Sequence, residues 1–438
     1  MYIKLWLLAV LCGVANGTLA TPIIQHWQSP SGAKVLFVEN HDIPMLDVAL
    51  SIQAGSSFDN SEKKGVAGLT HHLLDLGADG INEDEIARGM ADIGAQLGGS
   101  FDQDRASITL RTLSSKAELE KSLEIMALVV QSPTFAEKIF SREKVRVIAA
   151  LKEAETKPES IAEKEFHQAL FGKHPYGSPE SGDVESVEKI SATDIQKFYR
   201  DHYLAKEAVV AIMGDITRAK AEEIAQQLTG KLPLSESPVA LPMVTMHITS
   251  NEKRIAHPAS QSHILIGVPG MARNDPDYFP LYVGNHILGG GGFTSRLMKE
   301  VREKRGLAYN VYSYFMPLKQ PGAFQIGLQT KKEQADGALK VVRDTLAEFI
   351  AKGPSESELM ASKQNIIGGF PLRIDSNKKI LDYLSIIGFY ELPLSYLDDF
   401  TRNIDKVTVA EIRDAFKRHV NPKEMLTVVV GAPLEEGK

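Results

Sequence analysis

Runs of apolar residues at 34–38, 46–54, 107–113, 263–268 and 323–329 predict β-strands. Positions 83–97, 115–131, 141–156, 332–352 and 355–368 carry apolar residues at helical spacing and predict amphipathic helices. Strands and helices do not alternate as regular βαβ units. The pattern therefore predicts an α+β protein, with antiparallel sheet covered by helices in layers.

The pattern also repeats. Residues 190–202 (ISATDIQKFYRDH) align with 407–419 (VTVAEIRDAFKRH), and 209–214 (VVAIMG) with 426–431 (LTVVVG), at a constant offset of 217. Each copy reads as a helix opened by Ser191 or Thr408, with Asp194 or Glu411 three residues on, followed by a buried strand closed by glycine. Two homologous halves follow, at 21–231 and 262–438. Between them, 232–261 has no helical period, carries Pro233, Pro238, Pro242 and Pro258, and reads as a linker.

Residues 1–20 have the form of a secretory signal: Lys4, an apolar stretch at 5–15, and small residues before a cut after Ala20. The apolar stretch is short for a membrane span. Cys12 raises lipidation as a second reading, although the preceding Leu11 is large for such a site. The sequence thus predicts export to the periplasm. Composition narrows the chemistry further. Hydrophobic residues make up 43% and charged residues 24% of 438 positions, as in an ordinary globular protein. A net charge of −7 with no basic block gives nucleic acid no electrostatic footing. Cys12 is the one cysteine, which excludes a disulfide framework and a thiolate metal site.

Residues 65–77 (GVAGLTHHLLDLG) predict a helix with adjacent His71 and His72. Neighbours on a helix point about 100° apart, so the pair cannot grip one ion; chelation needs an i, i+4 pair. Four residues before His72 stands Gly68, and four before His71 stands Ala67. Neither is a ligand. The single histidines His167, His174, His202 and His419 read as packing or surface residues, and the Gly289–Gly290–Gly291–Gly292 run, without a following Lys-Ser or Lys-Thr, reads as a flexible loop and not a phosphate cradle.

The order of these motifs resembles the insulinase/pitrilysin group of inverted-motif zinc peptidases, and within it the two-subunit type typified by mitochondrial processing peptidase and its bacterial relatives. The resemblance is carried by 65–77, by 171–177 (FGKHPYG) with Gly182, by the repeated unit, by 289–297 (GGGGFTSRL) and by 302–309 (REKRGLAY). It implies two α/β-sandwich halves, each an antiparallel sheet with helices on one face, forming a half-clamshell. In that family H-x-x-E-H supplies two zinc ligands and a base, and a distal Glu completes the site. Here the corresponding positions hold Gly68, His71, His72 and Ala149, and only His72 matches. The resemblance also implies that Arg302 and Tyr309 stabilise the substrate carbonyl and oxyanion across the clamshell, with the tetraglycine loop near substrate. It implies a zinc-less subunit that binds no cofactor itself and works beside a zinc-bearing homologue on peptide substrates. The alternative is a peptide-binding or assembly module of the same fold without cleavage.

Overall fold

The computed structural model describes residues 23–234 and 240–431. The signal segment 1–20, its cut after Ala20, Cys12 and Pro238 lie outside the described residues. In the first half the strands are β1 (Gln25–Gln28), β2 (Lys34–Glu39), β3 (Met45–Ile52), β4 (Gly77–Ala78), β5 (Ile81–Asn82), β6 (Gln96–Phe101), β7 (Ala106–Leu113) and β8 (Ala208–Gly214). Six of them form one sheet in the order β1-β2-β8-β3-β7-β6, and β4 and β5 make a small ribbon. The helices are α1 (Val66–Leu73), α2 (Glu83–Ala91), α3 (Lys116–Gln131), α4 (Glu137–Ala154), α5 (Pro158–Phe171), α6 (Val184–Glu188), α7 (Ala192–His202) and α8 (Arg218–Thr229).

In the second half, β9 (Asn251–Ile255), β10 (Gln261–Pro269), β11 (Ala308–Phe315), β12 (Ala323–Lys331) and β13 (Leu426–Val430) build a sheet in the order β11-β12-β10-β13-β9. Its helices are α9 (Tyr278–Asn285), α10 (Ala335–Lys352), α11 (Glu356–Gly369), α12 (Asn377–Phe389), α13 (Tyr396–Lys406) and α14 (Val409–His419). Read from the opposite edge, β9-β13-β10-β12-β11 repeats β2-β8-β3-β7-β6. Each sheet is antiparallel apart from one parallel pair, β2 with β8 and β9 with β13. The repeated unit is realised in detail. Helices α7 and α14 both open with reciprocal capping boxes, Ser191 with Asp194 and Thr408 with Glu411. The strands that follow end at Gly214 and Gly431, at φ 144° and 113°, where a side chain would run into the carbonyl oxygens of Met45 and Gln261.

The halves exchange a helix. Each sheet has its own helices on one face, as expected, but the other face is covered by a helix from the opposite half: α12 lies on β2, β3 and β8, and α5 on β10 and β13. This is why β8 (AVVAIMG) is buried at every position and reads as one continuous apolar run. Leu381 and Leu384 of α12 are buried, each contributing about 1.5–3 kcal/mol against the first sheet. The equivalent hairpins β6–β7 and β11–β12 also meet at their tips. There the buried Asp104 carboxylate accepts from the Tyr176 hydroxyl at 2.6 Å, the Lys319 backbone N–H at 2.7 Å and the Tyr390 hydroxyl at 3.0 Å.

Two local expectations change. The helix read over 83–97 stops at Ala91, and Gln96 onward is strand, because pairing with β7 overrides helical spacing. The segment read as a linker contributes β9, an edge strand whose polar NEKRI sequence shows no apolar alternation.

Candidate functional site

Helix α1 starts at Gly65, where the Asp59 carboxylate accepts from the backbone N–H groups of Gly65 at 2.6 Å and Ala67 at 2.8 Å. Burial pushes that carboxyl up to about 7. The two histidines leave the last turn of α1 in different directions. His71 Nε2 donates to the Ser107 carbonyl of β7 at 3.1 Å, and its ring lies 5.8 Å from that of Phe101. Burial pushes the His71 imidazole below its ordinary value. His72 Nε2 meets Glu143 Oε2 on α4 at 3.1 Å. The Glu143 side chain is 4% exposed and also takes Arg142 Nε at 2.5 Å and Arg146 Nη1 at 2.8 Å. Burial raises this carboxyl, but hydrogen bonds from His72 and Arg142 and the charges of Arg146 and Arg142 bring it below the usual range.

These positions do not fit a zinc ion. Gly68 offers no ligand and faces the Glu180 carbonyl and Phe101. His71 is spent on a backbone carbonyl, and Ala149 is an exposed alanine on α4. The carboxylate nearest His72 is already held by two guanidiniums, and a cation would have to displace them. A catalytic zinc takes three protein ligands, and the set here supplies one histidine.

The second half brings Arg302 and Tyr309 together. Arg302 lies in the helical turn Met298–Glu303, and Tyr309 is the second residue of the edge strand β11. The guanidinium carbon stands 4.5 Å from the Tyr309 ring centroid and 4.9 Å from that of Phe293. The two rings are 80% and 67% exposed, and Arg302 has no carboxylate partner among the described residues. The tetraglycine run lies largely in helical turns in place of the expected loop. Gly289 closes the turn His286–Gly290 directly against Ser313 of β11, Gly290 and Gly291 follow, and Gly292 starts the turn that carries Phe293.

Between the halves opens a cavity of about 720 Å³, walled by the end of α4, by α5, by loop 178–183, by Tyr314 of β11 and by Met316 just after it. Glu155, Glu159, Glu163 and Glu180 line it, and burial with the charge of Asp102 pushes Glu180 up to about 7. The Glu180 carbonyl borders Gly68, so this acidic space adjoins the altered α1 centre. Its carboxylates, Phe293 and Glu143 escaped the sequence reading. Glu155, Glu159 and Glu163 at four-residue spacing were the available signal.

Of the single histidines, His167 lines the cavity and His174 caps the turn at Tyr176. His202 stacks on Phe198 at 4.3 Å, where burial pushes it down to about 4. His419 groups with Asp275 and Asp277, although Arg418 already holds Asp277 through two bonds of 2.9 and 2.7 Å.

Comparison with known proteins gives a consistent answer. The family model for insulinase (peptidase family M16) matches residues 34–183, and that for the peptidase M16 inactive domain matches residues 189–366. A crystal structure of a peptidase M16 inactive domain from Pseudomonas fluorescens is 38% identical, covers 94% of this chain and 99% of that one, and superposes with a TM-score of 0.91. A Helicobacter pylori protease, 20% identical, shares the fold with a TM-score of 0.87 over 94% of this chain and 100% of its own. The non-peptidase homolog YmxG of Helicobacter pylori is 27% identical over 98% of both chains. An uncharacterized zinc protease of Streptomyces coelicolor is 24% identical over 93% of this chain and 89% of its own. With the two-half clamshell architecture in place and one histidine left of the zinc-ligand set, this chain belongs to the insulinase (peptidase M16) family as a zinc-less homologue.

Proposed function

We propose that the chain is the non-catalytic subunit of an exported two-chain metallopeptidase of the mitochondrial-processing-peptidase type. A homologue with an intact H-x-x-E-H motif supplies zinc and base. This chain supplies part of the peptide chamber, with Arg302 and Tyr309 donating to the substrate carbonyl and the developing oxyanion. The observation that carries the reading is the contrast between an α1 centre left with one of the zinc ligands and a half-buried, carboxylate-free Arg302 held between the exposed rings of Tyr309 and Phe293. The signal-like segment supports a periplasmic location. The acidic cavity suits an extended peptide carrying a basic side chain.

The same cavity and the open edge strands β6 and β11 favour a second reading, a module that binds extended peptides by strand addition without cleaving them. One experiment separates the two. The mature chain is purified gently from its own cells, weighed by native mass spectrometry, and assayed for peptide cleavage. A complex of about twice the chain mass with one zinc, whose activity disappears when the subunits are parted and returns on mixing, is expected. A lone or self-paired chain without zinc that binds peptide and leaves it intact would replace the first reading with the second.

A further inference from the structure

Away from the chamber, α9, α12, α13 and the turn Phe370–Arg373 enclose a separate pocket of about 230 Å³. Its polar lining is dominated by donors: Arg273, Arg373, and the hydroxyls of Tyr278, Tyr282, Tyr383 and Tyr396. No carboxylate lies within ion-pair distance of either guanidinium among the described residues, and Arg273 Nε is buried with no hydrogen-bond partner. Arg373 shares this lining with the hydroxyls of Tyr282 and Tyr383, each of which can give its proton to a ligand oxygen. The Tyr278 and Tyr282 rings stack with centroids 6.0 Å apart.

Arg273 is half-buried with its Nε unpaired, Arg373 stands exposed at the mouth of the same space, and an anion between them would satisfy both guanidiniums. Asp382 is the one carboxylate in the lining, and burial pushes it above its ordinary value, which weakens its opposition to an anion. The carboxylates at the head of α9 are otherwise engaged, Asp277 by Arg418 and His419. Guanidinium and phenol donors converging on one space, with Ile386 and Phe400 as apolar wall, are the elements of oxyanion recognition.

We propose that this pocket is a binding site for a small oxyanion, a phosphate monoester or carboxylate whose oxygens accept from Arg273, Arg373, Tyr282 and Tyr383. The volume takes an anionic group with a few attached atoms and excludes a folded partner. Arg273 also lies 5.2 Å from the centroid of the Tyr390 ring, and Tyr390 donates to Asp104, so an occupied site reinforces the junction of the two halves. The proposal does not depend on the two-chain reading.

The test uses the purified mature chain in inorganic phosphate, phenyl phosphate, succinate or chloride at matched ionic strength. Saturable binding by calorimetry is expected for at least one oxyanion, with a rise of several degrees in the unfolding midpoint over chloride. The arm that responds distinguishes phosphate from carboxylate. Arg373→Gln and Tyr282→Phe are expected to weaken that binding at least tenfold; should the first variant fail to fold, the second carries the test. No oxyanion raising the midpoint beyond chloride, or equal affinity in folded variants, would overturn the site.

Discussion

The α1 centre of the first half and the Arg302 cluster of the second sit in equivalent settings, each beside the edge strand of its own sheet. They differ in how their polar groups are satisfied. In the first half His71 is bonded to Ser107 and His72 to a Glu143 that is itself clamped by Arg142 and Arg146. His71 is turned inward, and His72, though half exposed, points its Nε2 at a buried carboxylate that two guanidiniums already hold. In the second half Arg302 has only two ring faces for company, and both rings stand in solvent. Scattered exposed aromatics are ordinary, but two around one unpaired cation form a patch with donors ready for a ligand. The difference teaches that loss of chemistry in one half has gone with structural repair there, while the other half still offers unsatisfied chemistry.

The strongest way to break that contrast is to reverse the loss. The Gly68 backbone has ordinary van der Waals room for a side chain, since its nearest neighbours would stand at 3.4 and 3.5 Å from an added Cβ. The combined variant Gly68→His, His71→Glu, Ala149→Glu is expected to bind one zinc per chain by elemental analysis, and the native chain none at this centre. A folded but metal-free variant would show that α1 and α4 have drifted beyond repair, and that the decay is more than a change of side chains.

The next largest effect concerns the retained pair. In the two-chain assembly proposed above, Tyr309→Phe should lower turnover by ~10–1000-fold, with Arg302→Ala in the same range. Because Tyr309 is 80% exposed, stability should move by no more than about 0.5 kcal/mol. Steady-state peptide cleavage and a urea melt on the same preparations check both halves of that statement. Unchanged turnover would reduce the cluster to a surface feature and erase the contrast.

What could be read from the sequence follows the same division. Local signals were legible: the capping boxes at Ser191 and Thr408, the buried run before Gly214 and its copy before Gly431, and the helical spacing of α3, α10 and α11 all recur in the structure. The absence of ligands at Gly68 and Ala149 needed no structure at all. Long-range partnerships were not legible. Nothing local in α5 or α12 says that each covers the sheet of the opposite half, and β9 lacks the apolar alternation that marks a half-buried strand. The partners of His72, and the ring of Phe293 over Arg302, likewise depend on residues far apart in the chain.

The junction between the halves offers a third test, of whether they behave as two bodies or one. Asp104→Ala leaves two buried hydroxyls and a backbone N–H without their acceptor and should destabilise the chain by roughly 3–5 kcal/mol. Asp104→Asn, which keeps one acceptor oxygen, should lose less. Chemical denaturation followed by fluorescence and circular dichroism reads the cost. A loss below about 1 kcal/mol would mean that the exchanged helices α5 and α12 hold the halves together without the hairpin tips.

The smallest expected effect compares the last histidines of the repeated unit. His419 lies 3.0 Å from Asp277, whereas its counterpart His202 lies on Phe198 with Nδ1 lacking any hydrogen-bond partner. Burial lowers His202 from 6.5 to about 4. Between those values the unfolded chain takes up a proton that the folded chain refuses, so stability present above pH 6.5 falls as the pH drops and levels off below about 4. The slope contributed by this one group is at most about 1.4 kcal/mol per pH unit. His202→Phe keeps an aromatic ring against Phe198 and removes the titration, so the difference in unfolding free energy between variant and native chain should widen in the variant's favour as pH falls from 6.5 to about 4. Taking that difference cancels the opposite contributions of Asp59 and Glu180, whose carboxyls are raised to about 7 and bind protons preferentially in the folded chain. Denaturant melts at half-unit steps of pH measure it. A difference independent of pH would mean that His202 titrates alike folded and unfolded, and that its burial against Phe198 carries no proton linkage.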